Sequence, residues 1–241
     1  MKRLGRDTKV RWLGHAAFEV VSPTGKILLF DPWIENPKAP PGIRDSIRQV
    51  DVLLPTHAHF DHLGQTLDLG LKFQPQVPCI FELHIYLERK GLLHTMPMNK
   101  GGTQTVADGI GVTLVGADHS AGLLEDDFSL GAVYAGEPAG FVVEMENGFR
   151  IYHAGDTNVF GDMKWIGELY RPDVALLPIG GLFTMGPREA ALAARLLGVR
   201  YVVPMHYGTF PALSGTPEEL IQECAGQEVE VLPLSPGEVL E

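Results

Sequence analysis

PTHAHFDHLG, residues Pro55 to Gly64, sets His57, His59, Asp61 and His62 within six consecutive positions. Side chains this polar and this dense do not pack a core, so the stretch raises the question of what they hold. The run before it, VDVLL, is short and apolar and suits a strand buried on both faces. Where such a strand ends, alternate residues point to the same side, so His57 and His59 can reach one metal ion. Asp61 and His62 follow as the chain turns away and can address a second position close by. Imidazole nitrogen together with carboxylate oxygen suits zinc, and also accepts iron, manganese or nickel.

The same layout occurs twice along the chain. AFEVVSPTGKILLFDP, from Ala17 to Pro32, reads as strand, turn, strand, and ends at an aspartate. GFVVEMENGFRIYHAGDT, from Gly140 to Thr157, repeats that order and also ends at an aspartate. Each turn is polar and carries glycine, as hairpins prefer. The first hairpin is followed by VDVLLP and the second by PDVALLP. Helical spacing appears in between. It marks Phe81 to Gly91, Asp162 to Tyr170, and PREAALAARLLG from Pro187 to Gly198, with proline at the start and glycine at the stop. In TPEELIQECAG, Thr216 and Glu219 stand at capping-box spacing. The expected architecture is α/β, with two sheets packed together and helices outside, an αβ/βα sandwich.

Further candidate ligands sit where predicted strands end. His119 closes VTLVGADH, Asp156 closes RIYHAGD and His206 closes YVVPMH. In α/β sheets ligands gather outside the carboxyl ends of strands, so these three belong with the first cluster.

Composition narrows the function classes. The chain has 241 residues, 45% hydrophobic and 20% charged, which is ordinary for a soluble globular protein. A formal net charge of -11 repels phosphate backbones and anionic lipid, so neither nucleic acid nor a membrane is expected as a partner. Cys79 and Cys224 are too few for a disulfide framework and carry no catalytic motif. The opening MKRLGRDTKVRWLGHAAFEVV is basic, and His15 and Glu19 break its only apolar run, so the expected location is the cytoplasm.

HAHFDH, then a later histidine, then GDT, then a last histidine, closely resembles the metallo-β-lactamase superfamily. The likeness runs from WLGHAAF to MHYGTFP, and the flanking phrases resemble its L-ascorbate-6-phosphate lactonase-like branch of metal-dependent hydrolases. The resemblance implies one four-layer αβ/βα domain over residues 1–241, built from two similar halves. It implies two divalent metal ions, zinc first among them. His57, His59 and His119 would hold one, and Asp61, His62 and His206 the other. Asp156 would bridge both, a task its two oxygens permit. The implied activity is hydrolysis of a small-molecule lactone, ester or phosphodiester. The alternative is a metal-binding sensor or scaffold without catalysis. A homo-oligomer is compatible with the resemblance.

Two metals about 3.5–4 Å apart acidify a shared water and clamp an oxygen-rich substrate, so no side-chain nucleophile is required. Asp61 is the candidate for holding or relaying the proton of that water. His15 in LGHAAF is a candidate partner of the ligands. His153 and Thr157 flank Asp156 and are further candidates, and Tyr207, next to His206, is a candidate proton donor to a leaving group. His84 and His94 read as ordinary histidines of a helical region. Gly180 and Gly181 permit close backbone approach to a ligand. Ser120 to Gly140, with Glu125, Asp126 and Asp127, reads as a loop bordering the metals. Asn36 to Gly42 and Phe210 to Pro217 are candidates for other walls.

Overall fold

The computed structural model describes Leu4 and residues 7–107, 109–124 and 132–241. Strands and helices are numbered in chain order, α1 being Ile43–Ser46 and α3 Thr66–Phe73. The hairpin expected from Ala17 to Pro32 forms as β2 (Phe18–Val21) and β3 (Ile27–Phe30), with Phe18 opposite Phe30. The apolar VLL run becomes β4 (Val52–Leu54), parallel to β3 and wholly buried. With β1 (Lys9–Trp12) and β16 (Val239–Leu240) these make a five-stranded sheet in the order β16-β1-β2-β3-β4.

The second hairpin repeats the first. β11 (Ala139–Glu144) pairs antiparallel with β12 (Arg150–His153), placing Phe141 opposite His153, and β13 (Val174–Pro178) runs parallel to β12. β7 (Thr103–Val106), β8 (Ile110–Gly116), β14 (Tyr201–Met205) and β15 (Glu230–Val231) extend it to a seven-stranded sheet, β15-β14-β13-β12-β11-β8-β7. The two sheets share one core. Corresponding positions of the two hairpins meet inside it, since the Phe30 and His153 rings stack at 5.1 Å and 3°. The α/β sandwich expected from the repeated hairpins is the observed fold.

The helices fall where apolar spacing puts them. α4 (Phe81–Arg89) packs on β5 (Val77–Ile80) and its parallel partner β6 (Thr95–Met98). α5 (Met163–Tyr170), α6 (Pro187–Leu197) and α7 (Pro217–Glu223) pack in series, with α6 against β13. α6 buries its alanine stripe, Ala190, Ala191, Ala193 and Ala194. Thr216 and Glu219 close the capping box on α7. Cys79 and Cys224 are buried free thiols, as packing residues would be.

The Ser120 to Gly140 region departs from a plain loop. Gly122–Leu124 forms β9, and Ala132–Tyr134 forms β10 antiparallel to it. Leu123 is buried there, giving this strand an apolar anchor that glycine-rich composition conceals. Glu125, Asp126 and Asp127 lie outside the described residues. Among the described residues, no helix is long and apolar enough to cross a membrane.

Candidate metal centre

The chain assembles the site from the ends of four strands. β4 delivers Thr56, His57 and His59, and the single turn α2 (Phe60–Leu63) turns Asp61 and His62 in beside them. His119 follows β8, Asp156 follows β12 and His206 follows β14. Donor atoms of His57, His59 and His119 lie within 4.8 Å of one another. So do those of His57, His62 and Asp156, and those of His15, Asp61, His62 and His206. The structure thus gathers all seven residues expected as ligands, with His15 joining them.

Hydrogen bonds fix which nitrogens face inward. Thr56 donates its hydroxyl to Asp31 at 2.9 Å, so its oxygen is left to accept from His57 Nδ1 at 3.0 Å. That leaves the His57 Nε2 lone pair toward His59 Nδ1, 2.9 Å away. His62 donates from Nδ1 to Asp31 at 2.7 Å, which turns Nε2 toward Asp156 Oδ1 at 3.2 Å. The other Asp156 oxygen stands 3.1 Å from His206 Nε2 and 3.5 Å from His119 Nε2. Such outward partners are what orient metal-binding imidazoles.

The inward atoms lack ordinary satisfaction. His62 Nε2, Asp156 Oδ1 and both ring nitrogens of His206 are buried with no hydrogen bond of acceptable geometry. Buried polar atoms are almost always paired, so a cluster of orphans marks a place suited to a cation. The donor chemistry, imidazole and carboxylate, fits one or two divalent ions.

Electrostatics agree. Burial pulls His62 toward neutrality, but Asp156 and Asp31 on its two sides outweigh that and raise it well above the usual histidine range, so this spot favours a positive charge, a proton that a bound cation would displace from Nε2. Burial also opposes the charge on Asp156, yet His206 and His62 keep its carboxyl well below the usual range. Burial, reinforced by His62, keeps His57 neutral and so able to donate a lone pair. For Asp61, burial is outweighed by the His15 hydrogen bond and by His62, giving a pKa of about 2.

His15 lies at the centre of one flank. Its ring contacts Thr209 Oγ1 at 2.9 Å and Asp61 Oδ2 at 3.1 Å, and burial lowers its pKa to about 4. Its carbonyl accepts from His206 N and from Trp12 Nε1, which ties the His15 and His206 turns together. His15, Asp31 and His206 all hold left-handed backbone, with φ of 52°, 40° and 54°. Non-glycine residues held this way concentrate at functional sites.

The lesser candidates divide. His153 donates from Nε2 to Ala16 O and accepts from Gly155 N, so it fixes the turn that presents Asp156. Thr157 accepts from Asp118 N and donates to Asn158 O, bracing the approach to His119. The Tyr207 ring stacks on Trp12 at 5.4 Å with Lys38 Nζ over its face, and burial raises its hydroxyl to about 12. His84 bonds Thr95 near α4, with no contact to the cluster among the described residues. Gly180 packs against the carbonyl of His206, where a Cβ would lie at 2.2 Å, so it serves the backbone turn. Sequence reading missed Asp31, Thr56 and Thr209. The aspartate ending each hairpin was the one available signal for Asp31.

Comparison with known proteins places this geometry. A family model of the beta-lactamase superfamily domain matches residues 26–207. A UPF0173 metal-dependent hydrolase of Rubrobacter xylanophilus is 48% identical over 236 residues, covering 97% of this chain and 96% of that protein. One from Koribacter versatilis is 47% identical, covering 95% and 96%. Among solved structures, Igni18, a metallo hydrolase from the archaeon Ignicoccus hospitalis, superposes with a TM-score of 0.86 at 37% identity, over 97% of each chain.

Proposed function

Since this chain belongs to the beta-lactamase superfamily, we propose that it is a metal-dependent hydrolase acting on a small organic molecule through a pair of divalent ions. The observation that carries the reading is the buried set of His62 Nε2, His206 Nε2 and Asp156 Oδ1, which gather around Asp156 without hydrogen bonds. The relatives named as metal-dependent hydrolases, matched over nearly their whole lengths, support it.

His57, His59 and His119 are the donors for one ion, and Asp61, His62 and His206 for the other. Asp156 turns Oδ1 to His62 and Oδ2 to His119 and His206, members of both sets, and would be the ligand they share. Zinc suits these donors best, while manganese, iron and nickel are compatible. Bound there, the pair would supply an acidified water and a Lewis-acid contact for the substrate oxygen.

The chain's own residues do the rest. Asp61 stays ionised near neutral pH, which suits it to hold an attacking water by accepting its hydrogen bond. His15 holds the Asp61 carboxylate in place from one side and is itself held by Thr209. Tyr207, with its ring stacked on Trp12, is the candidate donor of a proton to the leaving group. Lactones, esters and phosphodiesters all meet this chemistry as an electrophilic centre bearing an oxygen for a cation to polarise.

The test is to strip the purified protein of metal, restore zinc or manganese, and assay ester, lactone and phosphodiester probes at each stage. Turnover that vanishes on stripping and returns with metal is the expected result. Tight metal binding with no turnover across the panel would favour a sensor or scaffold instead.

A further inference from the structure

Phe60 sits inside the ligand motif, between His59 and Asp61, and its side chain is 59% exposed. A single exposed apolar residue is common and needs no special cause. Phe60 is not single. Its ring meets Trp33 edge to face at 5.6 Å, and Trp33 stacks with Phe210 at 5.9 Å. Trp33 and Phe210 are both half-buried. The three rings come from the connection after β3, from α2 and from the loop after β14, so the fold brings them together across long stretches of sequence.

This aromatic wall begins where the metal centre ends. Trp33 presents its face or edge to His15 at 5.1 Å and Phe210 lies 5.9 Å from the same ring. His15 in turn reaches Asp61 Oδ2 at 3.1 Å and the His206 ring at 4.0 Å. The wall is also fixed in place. Gly64, at φ 44°, lets the end of α2 abut the Trp33 backbone, where a Cβ would come within 2.4 Å of the Trp33 Cα. Gln65 N donates to Pro32 O at 3.0 Å beside it. Among the described residues no lysine or arginine lies over any of the three rings, although cations cover five other aromatic rings.

We infer that Phe60, Trp33 and Phe210 form the substrate wall of the site and select substrates carrying an aryl or other planar apolar group next to the scissile bond. The inference rests on the hydrolase reading and deepens it. A substrate centred at Asp61 and His206 has these rings within one side chain's reach. Offset or edge-to-face contact with them favours a flat apolar group over a small alkyl one.

The test uses the full-length, zinc-loaded protein and two pairs of probes. Calorimetry compares phenylphosphonate with methylphosphonate, which share a metal-seeking head and differ only in the apolar group. Kinetics compare bis(4-nitrophenyl) phosphate with methyl 4-nitrophenyl phosphate, which share a leaving group. The phenyl-bearing probe is expected to be preferred on the order of fivefold in each pair. Phe60→Ser should bring the binding ratio close to one and lower the kinetic ratio to the intrinsic preference of the two esters, measured with free zinc in solution, while Leu169→Ser, exposed on α5 away from the motif, should keep both. A parent protein that binds or turns over the two members of each pair equally well, or ratios unmoved by Phe60→Ser, would overturn the wall. A change of mass in solution on Phe60→Ser with unmoved ratios would assign the rings to contact between copies, and would also overturn it. Turnover without phenyl preference removes the wall and leaves the hydrolase. Phenyl preference in binding without turnover keeps the wall and removes the hydrolase.

Discussion

Asp31 and Asp156 end the two matching hairpins, and both address His62, one at each ring nitrogen. Their surroundings differ sharply. Asp31 is wholly buried and saturated, accepting from Thr56 N at 2.7 Å, Thr56 Oγ1 at 2.9 Å and His62 Nδ1 at 2.7 Å. Asp156 has an orphaned Oδ1, and its Oδ2 faces His119 and His206. One half of the molecule spends its aspartate on orientation, and the other half leaves its aspartate free for a cation. A repeated fold has placed two like groups in matching positions, and their neighbours divide the work between them.

That division can be broken most severely at Asp156. Asp156→Asn keeps the shape and removes the charge, and kcat/KM with restored metal should fall on the order of 10³-fold, the several kcal/mol that metal chemistry supplies. Metal content by atomic emission should fall with it, while thermal unfolding shows a folded protein. Asp31→Ala should do the reverse. It leaves Thr56 N and His62 Nδ1 buried without their acceptor, so the metal-free protein should lose about 3 kcal/mol in denaturant unfolding. Its metal affinity should fall by roughly 10–100-fold, the range for partners that orient ligands. Equal losses of stability in the two variants would erase the distinction.

The motif and the four strand ends were legible in the sequence because a polar cluster after an apolar run is a local signal. The repeated hairpins were legible for the same reason, and their final aspartates hinted at a pairing. What Asp31 does was not legible, because its partners Thr56 and His62 lie 25 and 31 residues away. The His15 partnership with Asp61 and Thr209 spans 46 and 194 residues, so the sequence could offer His15 as a candidate without saying what it touches. β9 and β10 escaped notice because glycine and alanine dominate that region, and only pairing with each other makes them strands.

A third test uses protons. Burial keeps His15, His57, His59, His119 and His153 below the ordinary histidine value. The unfolded chain therefore takes up protons first as pH falls, so their contribution is whole above about pH 6.5 and declines below it. His15, with a folded pKa of about 4, alone removes about 2 kcal/mol by pH 5. His62, raised by its two aspartates, pulls the other way. The melting temperature of metal-free protein should thus drop between pH 7 and pH 5, and Asp31→Ala, which withdraws one of those aspartates, should steepen the drop. A smaller effect is expected inside the first half, where Asp31 works through Thr56. Thr56→Val removes the hydroxyl that joins Asp31 to His57 and should cost about 1 kcal/mol in the same unfolding measurement.

The most direct measurement is a calorimetric zinc titration of the stripped protein, run for the parent and for Asp156→Asn, with hydrolysis followed along the parent's titration. The expected result is uptake approaching two ions per parent chain, turnover that rises with occupancy, and a variant that loses both. Hydrolysis by the stripped protein, or undiminished zinc uptake by Asp156→Asn, would contradict it.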